Sequence, residues 1–88
     1  MTIEQQLRQF VNETFMFGRG TDEIAEDDSF VERGVIDSTG VLELVNFLET
    51  QYQITLNDWD LVPANLDSFR NLTKFVERKL ASSEGAAA

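Results

Sequence analysis

Ser38 is the residue best placed for chemistry, because it follows Asp37 in the stretch GVIDSTGV from Gly34 to Val41. A serine hydroxyl in such a place can attack a substrate, receive a group from another enzyme, or cap a helix. To attack a substrate it needs a base that removes its proton. The chain contains no histidine and no GxSxG turn, and an adjacent aspartate is a weak base for an alcohol. We therefore expect the chain not to be an enzyme.

Helix capping is the structural alternative for the same pair of residues. Serine and aspartate side chains both accept hydrogen bonds from the N–H groups of a first helical turn, and one such cap is worth about 1 kcal/mol. From Asp37 and Ser38 alone, capping is the simpler interpretation. It does not explain the residues around the serine.

Composition narrows the classes of partner and ligand. The chain has 16 acidic and 7 basic residues, a formal net charge of -9 and an isoelectric point near 4.2. This charge disfavours nucleic acids and anionic membranes as ligands and favours a basic protein surface. The chain has neither cysteine nor histidine, which removes disulfides, thiolate metal sites and the commonest transition-metal ligand.

A run of carboxylates in the stretch 22–28 is the strongest candidate for a metal site. Its spacing lacks the pattern and the glycine of an EF-hand loop, so we expect solvated charge and no bound metal. The run comprises Asp22, Glu23, Glu26, Asp27 and Asp28.

Helical periodicity organises the rest of the chain. Thr2 and Gln5 fit a capping box, and an apolar stripe continues to Phe15, after which Gly18 and Gly20 are expected to end the first helix. The stripe consists of Ile3, Leu7, Phe10, Val11 and Phe15.

A long connection over residues 16–37 then precedes the second helix. Because a loop of this length needs anchors, we expect its apolar side chains to enter the core. These are Ile24, Phe30, Val35 and Ile36. The second helix begins at Asp37 or Ser38 and continues to about Tyr52, with a buried face formed by Val41, Leu44, Val45, Leu48 and Tyr52.

A segment of short turns and a last long helix complete the fold. One or two short turns are expected between Asp58 and Leu66, and at least one of Trp59 and Leu61 is expected to cover the core there. A last helix, capped by Asp67 or Ser68, presents an inner stripe of Phe69, Leu72, Phe75 or Val76, and Leu80. The prediction is an all-α fold, a small four-helix bundle with three long helices, one short helix and a long first loop. Residues 1–81 form the domain and residues 82–88 a disordered tail.

The segment DDSFVERGVIDSTGVLELVNFLETQYQITL resembles the acyl carrier protein family, and VPANLDSFRNLTKFV is similar to its third helix and the start of its fourth. The resemblance extends from the first helix to Leu80 and implies a bundle of the acyl carrier type. It further implies that Ser38, flanked by Asp37, carries 4′-phosphopantetheine, which a separate phosphopantetheinyl transferase takes from coenzyme A. Acyl groups then travel on the arm as thioesters.

The resemblance also implies partners and a docking face. Acyl-loading, synthase or ligase enzymes with basic patches are expected to dock on the second helix of a monomeric carrier, in fatty acid, polyketide or related specialised biosynthesis. The docking residues implied are Asp37, Thr39, Leu42, Glu43, Asn46 and Glu49. Two alternatives stay open, an aminoacyl or peptidyl carrier and an acidic helical adaptor without a prosthetic group.

Three positions depart from the family pattern. Thr39 replaces a large apolar residue, Asn46 replaces an apolar one, and Gly40 stands where a polar residue is usual. Since glycine costs up to about 1 kcal/mol inside a helix, we expect a looser first turn. These departures favour a specialised carrier over ordinary fatty-acid synthesis.

The N-terminal stretch MTIEQQLRQF carries charge where a signal peptide needs an apolar core, and no apolar run is long enough to span a membrane. We therefore expect a cytoplasmic location.

Overall fold

The computed structural model of the 88-residue chain describes residues 2–87, with side chains described for residues 2–81. Four α-helices follow in order: α1 (Ile3–Phe15), α2 (Ser38–Tyr52), α3 (Pro63–Leu66) and α4 (Phe69–Ala87), with a 3-10 turn at Asp58–Asp60 before α3. Within residues 2–87 no β-strand is assigned. The prediction of an all-α fold with three long helices and one short helix is confirmed.

The helix starts are set by short-range hydrogen bonds. The Thr2 hydroxyl accepts a hydrogen bond from the Gln5 N–H at 3.1 Å, and the Gln5 side chain accepts one from the Thr2 N–H at 2.8 Å, which is the predicted capping box. Of the two candidate caps for α4, the Ser68 hydroxyl accepts a hydrogen bond from the Asn71 N–H at 3.1 Å. Asp67 instead accepts hydrogen bonds from Ser29 and Val31 of the long loop.

The end of α1 differs from the prediction in one respect. The helix ends at Phe15, and the first left-handed residue is Phe17, with φ of 53° and 81% of its surface exposed. Gly18 and Gly20 continue the turn with φ of 83° and 92°. The turn therefore places a phenylalanine where glycine is the usual residue, which costs conformational energy.

The core draws on all three long helices and on the long loop between α1 and α2. Ile24, Phe30 and Ile36 are buried and Val35 is half-buried, so the prediction of an anchored loop is confirmed. The helices supply most of the other buried apolar side chains, namely Leu7, Val11, Leu44, Leu48, Leu66, Phe69, Leu72, Phe75 and Val76, with Ile54 from the segment after α2.

Arg8 joins α1 to the long loop. Its guanidinium donates hydrogen bonds to the carbonyl oxygens of Thr21 at 2.9 Å and Ile24 at 3.1 Å. The same group lies 4.3 Å from the centroid of the Phe69 ring and 3.0 Å from a Glu4 oxygen. This half-buried cation therefore satisfies loop carbonyls that the core would otherwise leave unpaired.

The 3-10 turn is fixed to α4 through Asp60. The Asp60 carboxylate accepts a hydrogen bond from the Asn57 N–H at 3.0 Å and lies 2.8 Å from the Lys79 ammonium. The Asn57 N–H, followed by Lys79, lowers the pKa of Asp60 below its ordinary value of 3.8. Asp60 thus closes the turn on Asn57 and fixes it to Lys79 of α4.

The lowered pKa of Asp60 makes a prediction about acid stability. A carboxylate with a depressed folded-state pKa contributes stability that is complete above about pH 5 and is lost as the pH falls below about 4. Asp60→Asn is therefore expected to lower the urea midpoint at pH 7 and to flatten its fall between pH 5 and pH 3. Asp58→Asn, which removes an exposed carboxylate from the same turn, is the control. Equal pH slopes for wild type and Asp60→Asn would contradict this role of Asp60.

The structure tests the predicted C-terminal tail only in part. The backbone of α4 is helical through Ala87, while the side chains of residues 82–87 and all of residue 88 lie outside the described residues. The disordered tail at 82–88, and the domain boundary at residue 81, stay predictions. In the part of the chain that is described, no helix has both the length and the apolar character required to cross a membrane.

Candidate functional site

Ser38 is the first residue of α2, and its side chain is exposed. Asp37 precedes it with an extended backbone, and the Asp37 carboxylate accepts a hydrogen bond from the Gly40 N–H at 2.7 Å. The Asp37 carbonyl accepts the first helical hydrogen bond, from the Val41 N–H at 3.1 Å. Among residues 2–81 the Ser38 hydroxyl has no hydrogen-bond partner. The cap of α2 is therefore Asp37, and the structure leaves the Ser38 hydroxyl free.

Gly40 is buried in the first turn of α2, whereas the expectation of a looser turn, which rested on helix propensity, stays a prediction. A Cβ atom on Gly40 would lie 2.8 Å from Cε1 of Phe15 and 3.1 Å from Cγ2 of Ile36. The first of these distances is shorter than side chains tolerate. Glycine at this position thus leaves room for the Phe15 ring, a requirement that helix propensity alone does not reveal.

The docking face implied by the family resemblance forms an exposed strip on α2. Thr39, Leu42, Glu43 and Asn46 are all exposed, and Leu42 has 67% of its surface accessible. Their spacing of three and four residues places them on one side of the helix. Asp37, also exposed, lies at the start of this strip.

Glu49 differs from the other implied docking residues. Its side chain is half-buried, and its carboxylate accepts a hydrogen bond from the Leu56 N–H at 3.0 Å. The segment that follows α2 is therefore held against the helix by this carboxylate. The Glu49 carboxylate therefore has a hydrogen-bond partner within the chain, whereas among the described residues the Glu43 carboxylate has neither a hydrogen bond nor an ion pair.

An apolar cavity of about 150 Å³ lies beside the start of α2. Ile36 and Val41, which flank Ser38 in the chain, line it together with Leu61, Val62, Pro63 and Leu66. Phe30 and Val31 of the long loop line it as well. Ser38 itself is exposed and is not among the lining residues.

Asp67 is the polar residue at the edge of this cavity, and its carboxylate is already engaged. It accepts hydrogen bonds from the Val31 N–H at 3.1 Å and from the Ser29 hydroxyl. The Asp67 carbonyl accepts a further bond from the Phe30 N–H at 2.9 Å. Asp67 thus fastens the long loop to the segment between α3 and α4.

Two residues of the cavity, Val31 and Val62, are absent from the sequence-based prediction. Val31 is 63% exposed and Leu61 and Val62 are each 40% exposed, so they lie at its rim and not in the buried core. Their signal in the sequence is an apolar side chain within a polar loop. Trp59 is 75% exposed and neither Trp59 nor Leu61 packs against the core, so the expectation that one of them covers it is wrong; Leu61 only lines the cavity.

The carboxylate run at 22–28 is largely paired. Glu26 and Asp27 lie 3.0 Å and 3.1 Å from nitrogen atoms of Arg70, and Asp28 lies 3.6 Å from Arg33. The Arg70 pKa is raised, chiefly by its hydrogen bond with Glu26. Over the part of the chain that is described, no group of three or more potential ligands is arranged to hold a metal ion. Two members of the run, Glu26 and Asp27, thus connect the loop to α4 through exposed ion pairs with Arg70.

Comparison of the chain with protein-family models gives no match. Comparison with curated proteins likewise finds no significant relative.

Proposed function

We propose that this chain is a carrier protein and that Ser38 bears 4′-phosphopantetheine. The observation that carries the proposal is the exposed Ser38 hydroxyl at the start of α2, next to an Asp37 that already caps the helix. The Ser38 side chain makes no hydrogen bond among residues 2–81, and the chain has no histidine to activate the hydroxyl. Such a serine is suited to modification by a separate enzyme. The resemblance of the surrounding sequence to acyl carrier proteins supports the same assignment.

The proposed modification is a phosphoryl transfer. The Ser38 Oγ forms a bond to the phosphorus of the phosphopantetheine group, the pyrophosphate bond of coenzyme A breaks, and adenosine bisphosphate leaves. A phosphopantetheinyl transferase takes up the serine proton. The free N–H groups of the first turn of α2 favour the negative charge that this bond places beside them. When bound, the arm supplies a thiol, which the chain itself lacks.

The fit of the site to an acyl cargo is supported by the apolar cavity. A cavity of about 150 Å³ lined by Leu, Ile and Phe side chains is known to hold a benzene molecule, so the recess beside Ser38 has room for about six carbon atoms. Ile36, two residues before Ser38 in the chain, is one of its lining residues. The recess favours an apolar acyl group over a polar aminoacyl group as cargo.

The exposed strip on α2 is the proposed docking face. Leu42 supplies an apolar contact and Glu43 a charge for basic patches on partner enzymes. Charges at the edge of an interface mainly increase the rate of encounter, and their effect weakens as salt screens them. Glu49 is the weakest member of the docking set, because its carboxylate is engaged with Leu56.

Charge reversal at Glu43 is expected to slow modification by a transferase with a basic docking patch. For Glu43→Lys we expect kcat/KM to fall about tenfold at low salt, with a smaller difference at high salt. The matched control is Glu77→Lys, which makes the same change on the exposed surface of α4. Equal losses for the two variants would assign the effect to net charge and would contradict a docking role for Glu43.

The proposed function is tested by mass spectrometry of the intact protein. The chain is incubated with coenzyme A and Mg²⁺ and with either a promiscuous phosphopantetheinyl transferase or the transferase of its own host. A carrier gains the mass of one phosphopantetheine group. An acidic helical adaptor gains nothing with either transferase, and that result would overturn the proposal. Loading of the modified chain with acyl or aminoacyl groups then separates the two kinds of carrier.

A further inference from the structure

The close contact between Phe15 and Gly40 connects the end of α1 to the turn that carries Ser38. Phe15 is the last residue of α1, and its Cε1 atom occupies the space that a side chain at Gly40 would need, at 2.8 Å from the Cβ position. Ile36 lies on the other side of the same position at 3.1 Å. The first turn of α2 therefore rests on an aromatic ring that comes from another helix.

Phe15 is the first of four aromatic side chains that join α1 and α2. Its ring meets Phe10 edge to face at 5.8 Å, Phe10 stacks on Phe47 at 4.0 Å, and Phe47 meets Tyr52 edge to face at 6.2 Å. The Tyr52 hydroxyl donates a hydrogen bond to Gln6 at 2.7 Å. This aromatic row, Phe15–Phe10–Phe47–Tyr52, fixes the two helices along their length and ends at the turn of Ser38.

We infer that Phe15 is a positioning residue for the modification of Ser38, an inference that rests on the proposed function. Ser38 is held in place only through the backbone of its turn, because its side chain has no hydrogen-bond partner among residues 2–81. The first turn of α2 is itself held by the Asp37 cap and by the Phe15 ring next to Gly40. The ring thus sets the direction in which the hydroxyl meets the transferase.

Phe15 does not touch the reacting atoms, so its loss should change orientation more than docking. The exposed strip of Thr39, Leu42, Glu43 and Asn46 stays intact in Phe15→Ala. Misplacement of a reacting group by about 1 Å costs on the order of 10- to 100-fold in rate. We therefore expect Phe15→Ala to lower kcat for phosphopantetheine transfer by about that factor with little change in KM, and Phe15→Leu to restore most of the rate.

Gly40→Ala tests the same contact from the other side. The added methyl displaces the ring, so this variant alone should also slow the transfer. In Phe15→Ala/Gly40→Ala the methyl no longer meets the ring and only the 3.1 Å contact with Ile36 remains, so the second substitution should cost less than it does in the wild type. Leu80→Ala, which shortens a half-buried residue on α4, is the control for a general loss of stability.

Hydrogen exchange provides a measurement that needs no enzyme. The N–H groups of Gly40 and Val41 both bond to Asp37, and in Phe15→Ala we expect them to exchange about tenfold faster relative to the amides of α4. Unchanged exchange at both amides, or a loss of kcat no greater than that of Leu80→Ala, would overturn the inference. A wild-type chain that accepts no phosphopantetheine overturns the proposed function, and the exchange rates then still decide whether Phe15 holds this turn.

Discussion

Replacement of Ser38 by alanine is expected to abolish the attachment of phosphopantetheine completely and to leave the fold unchanged. The modification requires the hydroxyl oxygen, for which alanine offers no substitute. The fold does not require it, because Asp37 caps α2 and the Ser38 side chain is exposed. We therefore expect the free energy of unfolding to change by less than about 0.5 kcal/mol. Intact mass after incubation with coenzyme A and a transferase, and urea denaturation, measure the two effects.

Two neighbouring variants serve as controls for Ser38→Ala. Thr39→Ala removes the adjacent exposed hydroxyl; because Thr39 belongs to the proposed docking face, the reaction is expected to be slower but to reach the full mass gain at completion. Asp37→Ala removes the cap and should lower the free energy of unfolding by about 1 kcal/mol. A mass gain that persists in Ser38→Ala would move the modification to another residue. A loss of stability larger in Ser38→Ala than in Asp37→Ala would show that the serine is the cap.

The largest effect on stability is expected from Phe30→Ala. Phe30 is 1% exposed and meets the ring of Phe69 edge to face at 4.9 Å. Truncation of a buried phenylalanine costs about 3–5 kcal/mol, which is a large part of the total stability of a small domain. The loss should also loosen the loop from α4, since the Phe30 ring packs on Phe69, the first residue of α4. Urea denaturation measures the change.

Val31→Ala is the matched control for Phe30→Ala. Val31 is the next residue along the chain but is 63% exposed, so its truncation should cost less than about 0.5 kcal/mol. Comparable losses in the two variants, or a loss below about 1 kcal/mol for Phe30→Ala, would mean that the loop is not anchored by this ring.

The helices and the buried stripes could be predicted because local rules govern them. The capping box of Thr2 and Gln5, the apolar spacing of α1, α2 and α4, and the turn at Pro63 all depend on residues within a few positions of one another. The anchoring of the loop by Ile24, Phe30 and Ile36 followed from the need of a long connection to bury its apolar side chains.

The contacts between distant segments could not be predicted in the same way. The position of Gly40 against Phe15 depends on how closely α1 approaches α2, and the pairing of Arg70 with Glu26 and Asp27 depends on how the loop crosses α4. Glu49 has the spacing of an exposed residue, yet its carboxylate bonds to Leu56 because the chain turns back after α2.

The sequence by itself determined that this is an all-helical chain with Ser38 at the start of its second helix, because helix periodicity and capping act over a few residues. The choice between Asp37 and Ser38 as the cap is also local, but the sequence left both open, and the structure shows that Asp37 makes the cap. The tertiary structure alone decided that an apolar recess lies beside the start of α2. It also decided that Gly40 is a point of close packing. These features depend on atoms brought together from separate segments, and no local pattern encodes such distances.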